Sequence, residues 1–451
     1  MWYIGFNDTF YVGVLMNPAF DTYIQSLTGR EVTVIGAGVS NSPLIRMLCS
    51  AGARVTVRDR NPALPREEWD DLGVGLCLGE NYLDGVGGDV VFRTPGMRPD
   101  HPALDSARAG GSRVTSEMEE FFALCPCPIF GVTGSDGKTT TTSLIADMLA
   151  DGERKVHLGG NIGMPLLTRA GEMSPLDVCV VELSSFQLMD MTRSPHVAVI
   201  TNLSPNHLDW HRDMNEYTAA KRRLLDFQSA DDCAVLNGDN PLTAALRGRG
   251  RTKYFGRHAV HDGMIDGLLP ISDIRLPGWY NVENMMAAMT AVRGIVSDEA
   301  ILETVRNFVG VEHRNQWVAT VGGVHYYNNS IGSSPARTVA TLHAHAGRVL
   351  LIAGGRDKKV PFDEMVNLLP DHVKVLLLIG EAAGQIEAAA RTVQNCPPIV
   401  RCEDLAEAVA QAHMLATPGD TVLLSPACTA FDQYRNFEER GRHFVELVGA
   451  L

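Results

Sequence analysis

Residues 131–142 read G-V-T-G-S-D-G-K-T-T-T-T, and the fold turns on what this stretch is. An apolar, β-rich run, P-I-F-G-V-T (128–133), precedes it, and T-T-T-T-S-L-I-A-D-M-L-A (139–150) follows with helical spacing. Strand, glycine-rich turn, Gly-Lys-Thr and helix, in that order, describe a phosphate-holding loop. A Walker A frame has four residues between its two glycines, which would place the first at Val132; Gly131 comes one place too early and Gly134 falls inside the gap. Gly134 and Gly137 still allow the backbone to turn its amides toward an anion. Lys138 supplies a mobile charge for the β- and γ-phosphates, and Thr139 a hydroxyl for Mg²⁺. The expected ligand is therefore ATP with magnesium.

The chain as a whole reads as an α/β protein of three domains, each an open, mostly parallel sheet with helices. The expected boundaries are 1–114, 115–310 and 311–451, with 1–15 as an upstream extension. In the first segment E-V-T-V-I (31–35), R-V-T-V-R-D (54–59) and D-V-V-F (89–92) alternate with helical stretches, a Rossmann-like pattern. Its first loop runs Gly36-Ala37-Gly38-Val39-Ser40-Asn41, so Asn41 stands where a dinucleotide fingerprint has its third glycine. Asp59, at the end of the second strand, is either a ribose contact or a plain turn residue.

The central segment is P-loop ATPase-like. D-V-C-V-V-E (177–182) ends at Glu182, placed as the acidic residue of a P-loop sheet that reaches a metal. H-V-A-V-I (196–200) leads toward His207, and E-Y-T-A-A-K-R-R-L-L (216–225) is a helix carrying Lys221. By spacing alone His207 is a hydrogen-bonding histidine and Lys221 a solvated helical lysine, no different from Arg222 or Arg223. The third segment, Rossmann-like again, has strands in H-Y-Y-N-N-S, R-V-L-L-I-A-G-G, K-V-L-L-L-I-G and T-V-L-L-S-P-A-C.

The formal net charge of −14 excludes a general nucleic-acid binder, because phosphate backbones reward clustered Lys and Arg. The exception, R-G-R-G-R-T-K (247–253), is expected to be a basic turn between elements. Nine cysteines occur without a C-x-x-C module, and Cys125 and Cys127 are spaced for neither a zinc finger nor a redox motif. A reducing cytoplasm is the expected compartment. No apolar run reaches the roughly 20 residues of a membrane span, and the first fifteen residues lack the basic start of a signal peptide.

Taken together, the loop 131–140, G-G-N-I-G (159–163), V-E-L-S-S-F-Q-L (181–188), N-H-L-D (206–209), Y-T-A-A-K (217–221), H-R (313–314) and L-L-S-P-A-C (423–428) resemble the Mur ligase family, in family order from about residue 30 to the C-terminus. E-L-S-S-F-Q-L and S-P-A-C-T-A-F-D-Q-Y resemble its D-glutamate-adding members. The resemblance implies amide ligation in peptidoglycan precursor synthesis. UDP-N-acetylmuramoyl-L-alanine, ATP and D-glutamate would be the substrates, and an acyl phosphate the intermediate. The expected partners are small-molecule substrates, with no nucleic acid and no membrane insertion, and the expected state is a monomer.

Carried over residue by residue, the resemblance gives catalytic roles to Lys138, Glu182, His207 and Lys221. Gly134, Ser135, Asp136, Gly137, Lys138, Thr139 and Thr140 would hold the phosphates. Asn281 and Asn284 would lie on the adenine side, with His313, Arg314 and Asn329 as further nucleotide contacts. Thr139, Glu182, His207 and a carbamylated Lys221 would serve two Mg²⁺ sites. The UDP end falls to Gly36, Ser40, Asp59 and Thr94, and the muramoyl part to Asn161, Ser184 and Gln187. Ser333, Lys358, Thr429 and Phe437 would face the amino acid. The chain departs from the family where Asn329 replaces an acid, Ile331 a lysine and Ala430 a serine. Other readings are a folylpolyglutamate synthase-like or different Mur ligase, an NAD-dependent oxidoreductase built on Gly36-Ala37-Gly38, and a nucleotide-binding regulator without catalysis.

Overall fold

The computed structural model describes residues 17–38, 41–64, 69–150 and 154–451. Ser40 and the expected extension 1–15 lie outside the described residues. The chain divides into two compact units: residues up to Asp266 with Glu283–Thr304, and Gly267–Val282 with Val305–Leu451.

The first unit holds two parallel sheets, besides a short antiparallel pair, Val260–His261 with Met264–Ile265. One comprises β1 (Glu31–Ile35), β2 (Arg54–Asp59), β3 (Gly75–Leu78), β4 (Val90–Phe92) and β5 (Arg113–Thr115), in the order β3-β2-β1-β4-β5 and parallel throughout. The other comprises β6 (Ile129–Thr133), β7 (Val156–Gly160), β8 (Val178–Glu182), β9 (Val197–Ile200), β10 (Cys233–Asn237) and β11 (Arg251–Phe255). Its order is β11-β10-β9-β6-β8-β7, again all parallel. Strands buried on both faces read as unbroken apolar runs. V-C-V-V-E of β8 does so, and every one of its residues is buried. Each such Val contributes about 1.5–3 kcal/mol on burial. Because β6 sits between β8 and β9, the ends of these three strands open a crevice at the point where the strand order reverses, the usual ligand position in such sheets.

The second unit holds β12 (Gln316–Val321), β13 (Val324–Asn328), β14 (Val349–Gly354), β15 (Val373–Ile379), β16 (Ile399–Arg401) and β17 (Thr421–Ala427), in the order β12-β13-β17-β14-β15-β16. All neighbours are parallel except β12 and β13.

One sequence expectation needs correction. Arg247–Lys253 is not wholly a turn: Arg251 opens β11, and the register Val235↔Lys253 carries Lys253 into the sheet. The β-branched and aromatic run R-T-K-Y-F outweighs its charges at an edge position. The third sheet also has an antiparallel edge that was not anticipated. Gly322 and Gly323 join β12 to β13 with φ of 57° and 80°, the two-residue turn that only residues tolerant of positive φ close.

Candidate functional site

The loop after β6 does what its glycines require. Gly134 and Gly137 adopt φ of 151° and 77°. A Cβ on Gly134 would land on Thr201 Oγ1, and one on Gly137 on Asn284 Oδ1. The loop is thus walled by Thr201 just after β9 and by Asn284. Gly137 caps the helix Lys138–Leu149, whose N-terminus carries Thr139 and Thr140, both buried. The positive end of the helix dipole faces the loop there. Lys138 Nζ donates to the carbonyls of Gly134 (3.0 Å) and Ser135 (2.9 Å), folding its charge over the turn. Ser135 Oγ bonds Tyr217 Oη at 2.9 Å, and the Asp136 amide donates to Asn202 Oδ1 at 3.0 Å.

Lys221 is not the solvated lysine its spacing suggested: its side chain is 2% exposed. The helix Met214–Asp226 buries one face, and Lys221 lies on it with Tyr217, Leu224 and Leu225. Nζ donates to Gly134 O (2.8 Å) and Thr133 Oγ1 (3.2 Å) and sits 4.8 Å from the centre of the Tyr217 ring. Burial, and then the charge of Lys138, hold its amine well below the ordinary lysine value, against the pull of Glu182 and Asp136.

Glu182 is equally buried, at 1%. Its Oε1 accepts from Asn161 Nδ2 at 2.8 Å, and the Asn161 backbone amide donates to Glu182 O at 2.8 Å. Its Oε2 has no hydrogen-bond partner. An unpartnered buried carboxylate oxygen is costly, and beside a phosphate loop it suits a hard cation. His207 holds φ of 53°, a left-handed backbone uncommon among non-glycine residues. Its ring packs on Phe186 (centroids 5.0 Å). Partial burial, followed by the charges of Lys138 and Lys221, pushes its imidazole below the usual value despite Asp209, favouring the neutral, ligating form.

Asn161, Ser184 and Gln187 are engaged locally. Ser184 and Gln187 form a reciprocal cap on the helix Ser185–Leu188, with bonds of 2.9 and 3.3 Å. In the first sheet, Asp59 Oδ2 accepts from the Ala37 amide at 2.8 Å, bracing the Gly36 turn, and Oδ1 accepts from the Asn61 amide. Asn41, in the place of the third glycine, ties its amide to the carbonyls of Ile35 and Gly36. Gly36 lies against Thr94, which lines a cavity of about 600 Å³ with Tyr82, Arg98, His101 and Arg212.

In the second unit, Asn281 Nδ2 donates to Pro277 O at 2.7 Å. His313 has φ of 64°. Its Nδ1 accepts from Asn328 Nδ2 at 3.1 Å, its ring meets Phe437 edge-on at 6.0 Å, and its Nε2 has no hydrogen-bond partner. Arg314 follows it and is linked to Val311 through the backbone. Asn329, where the family has an acid, is buried among neutral partners, donating to Thr341 Oγ1 (2.8 Å) and Ser425 Oγ (3.0 Å). Lys358 Nζ donates to Ser333 Oγ at 3.3 Å, and Thr429 Oγ1 to Arg356 O at 3.0 Å. Of the amino-acid end, Ser333 and Lys358 therefore touch, although 25 residues apart. Sequence reasoning passed over Tyr217 and Arg440. Tyr217 was legible one helical turn before Lys221. Arg440, 1% exposed on Ser330 and the Cys428 carbonyl, has no spacing signal.

One buried histidine of the second unit makes stability sensitive to acid. His345 is buried, bonds Asn315 Oδ1 at 2.8 Å, and is pushed down to about 4 from 6.5 by burial. A lowered histidine value means the fold keeps the neutral ring. Its contribution is complete above about pH 6.5 and is lost as pH falls toward 4. Urea unfolding of the wild type is expected to lose about 3 kcal/mol more than His345→Gln between pH 7 and pH 4. Equal losses would contradict the buried neutral ring.

Residues 132–292 match the family model of the Mur ligase middle domain, and 313–428 that of the Mur ligase, glutamate ligase domain. The UDP-N-acetylmuramoylalanine–D-glutamate ligase of Acetivibrio thermocellus is 45% identical over 464 residues, covering 97% of this chain and 100% of that protein. Its namesake in Clostridium kluyveri is 44% identical over 460 residues, with the same coverage. The fold is also that of the UDP-N-acetylmuramate-alanine ligase of Thermotoga maritima: TM-score 0.55, 17% identity, 93% of this chain and 99% of that one.

Proposed function

The chain belongs to the Mur ligase family, and we infer from this and from its site that it is an ATP-dependent ligase joining D-glutamate to UDP-N-acetylmuramoyl-L-alanine in peptidoglycan precursor synthesis. The observation that carries the reading is the convergence at one sheet end. The loop Gly134–Thr139, the buried amine of Lys221 on Gly134 O, and the unpartnered Oε2 of Glu182 meet there.

In the proposed reaction the substrate carboxylate takes the γ-phosphoryl group of ATP. The D-glutamate amine then attacks the acyl carbon, and phosphate leaves with the former carboxylate oxygen. Little covalent work falls to the protein; positioning and charge neutralisation dominate. Ser135, Asp136, Gly137 and Thr140 frame the phosphates, and Lys138 swings from its loop carbonyls to the transferring group. Magnesium, when bound, would neutralise phosphate charge at two sites, with Thr139, Glu182, His207 and a carbamylated Lys221 as its ligands. The lowered value of Lys221 supports the carbamate, because the neutral amine attacks CO₂ and releases one proton. The product is an anionic oxygen donor suited to a hard cation. Asn161 keeps Glu182 aimed by holding its other oxygen.

Asn281 and Asn284 are assigned to adenine, and His313, Arg314 and Asn329 to the rest of the nucleotide. Gly36, Ser40, Asp59 and Thr94 are assigned to the UDP end, and Asn161, Ser184 and Gln187 to the muramoyl part. The amino acid falls to Ser333, Lys358, Thr429 and Phe437. The division into domains 1–114, 115–310 and 311–451 is part of the same proposal, as are a cytoplasmic location and a monomeric state. Among the described residues no helix is long and apolar enough to cross a membrane.

The test is product formation from the muramoyl nucleotide, ATP and Mg²⁺ with either glutamate enantiomer. D-Glutamate is expected to give the dipeptide nucleotide and L-glutamate none. Equal yields, or product only with another amino acid, would move the chain to a different ligase of the family.

A further inference from the structure

Cys125 and Cys127 lack metal-site spacing in the sequence, but the fold brings a third thiol to them. Cys179, on β8, lies 3.5 Å from Cys125 Sγ and 3.4 Å from Cys127 Sγ, and the first two sulfurs are 3.6 Å apart. The thioether of Met173 lies 3.6 Å from Cys179 Sγ. We propose that Cys125, Cys127 and Cys179 form a binding site for a thiophilic closed-shell cation, zinc(II) or copper(I), separate from the magnesium chemistry of the ligase.

The geometry argues for a metal. Three sulfurs about 3.5 Å apart leave a centre about 2.0 Å from each, so a metal–sulfur bond of about 2.3 Å places the ion about 1.1 Å above their plane. That is a pyramidal three-sulfur cap, with a fourth position open to Met173 or solvent. A disulfide between any two would leave the third thiol unpaired, and its sulfurs would have to close to about 2.05 Å. Thiolate and thioether ligands select zinc and copper(I) over magnesium.

The ligands stand on fixed backbone. Cys125 caps the helix Glu117–Leu124, and Cys127 enters β6. Cys179 donates its amide to Pro128 O at 3.0 Å, in the register Ile129↔Cys179. Cys127 and Cys179 are buried, whereas Cys125 is half-buried and gives an entry path. Cys179 and Glu182 are three residues apart on β8, about 10 Å along a strand, so the proposed ion stands at the opposite end of the strand from the ATP loop. On binding, each S–H bond is replaced by an S–metal bond and its proton goes to solvent; no electron moves, so no oxidant is needed.

The test uses the full chain, reduced with a phosphine and stripped of metal. It is titrated with Co²⁺ as an optical stand-in for zinc, then with Zn²⁺, and in parallel with Cu⁺ held by bicinchoninate. One ion per chain is expected, with thiolate-to-cobalt charge-transfer absorption. Zn²⁺ displacing the cobalt identifies a zinc site; Cu⁺ taken from the chelator, with no zinc uptake, identifies a copper(I) site. Cys125→Ser should weaken binding by more than about tenfold, the loss an outer-shell change can already cause, and remove about a third of the absorption per bound ion. Cys77→Ser should change nothing. Ligase turnover in Mg²⁺ should survive Cys125→Ser, separating ligand loss from unfolding. The proposal is overturned by uptake of none of the three ions, by binding and absorption unchanged in Cys125→Ser, or by only seven of the nine cysteines reacting with a thiol reagent in denaturant before reduction.

Discussion

Lys138→Ala is expected to reduce ADP formation by at least about 100-fold, the loss that follows removal of one preorganised charge-stabilising group. The side chain enters no core: its ammonium lies on the Gly134 and Ser135 carbonyls, so the loop loses a charge and keeps its glycine turns. Melting temperature should therefore change little while turnover collapses. Nucleotide binding should weaken less than turnover, because helix-end amides and Thr139 remain to hold phosphate. A variant retaining more than a tenth of wild-type turnover would remove Lys138 from the chemistry.

Lys221→Ala should lose about 100-fold or more for a different reason. Here an anionic ligand is proposed to be missing, so added formate or acetate should restore part of the activity by occupying the vacated space. Lys221→Arg is the companion variant: it keeps a cation and cannot form the carbamate, and it should stay inactive with or without short acids. The amine is buried on Tyr217 and Gly134 O, so each variant's folding is checked by its melting curve. Full activity in Lys221→Ala would refute the carbamate. A well-folded alanine variant that no short acid rescues would leave Lys221 a structural tie between helix and loop.

The phosphate loop was legible because its signals are local: a strand, two glycines at positive φ, a lysine and a helix in one run of sequence. The α/β class was legible for the same reason, since β8 and β14 are apolar runs that only two-sided burial explains. What spacing could not supply was the third dimension. Lys221 and Arg222 are equivalent in sequence, yet the helix Met214–Asp226 turns one inward and the other out to Asp226. Cys179 is 52 residues from Cys127, so the thiol cluster has no local signature. Ser184 and Gln187 are assigned to substrate by resemblance, while the S-x-x-Q spacing also encodes a local helix cap. The hairpin Val321-Gly322-Gly323-Val324 carries its own local Gly-Gly signal beside the stronger parallel-strand pattern.

The departures at Asn329, Ile331 and Ala430 bear on whether the chain turns over at all. Asn329 is fully engaged by Thr341, Ser425 and the Asn315 amide. The amide thus braces the turn around His313 with no charge to balance.

Phosphate release from four mixtures tests the central claim most directly: ATP alone, ATP with the muramoyl nucleotide, ATP with D-glutamate, and all three together, each with Mg²⁺. Sustained release only from the complete mixture is the predicted result. ATP bound without turnover in the complete mixture would make the chain a nucleotide-binding relative, and release that ignores D-glutamate would make it a hydrolase. Either result would contradict an amide ligase built on the Gly134–Thr139 loop.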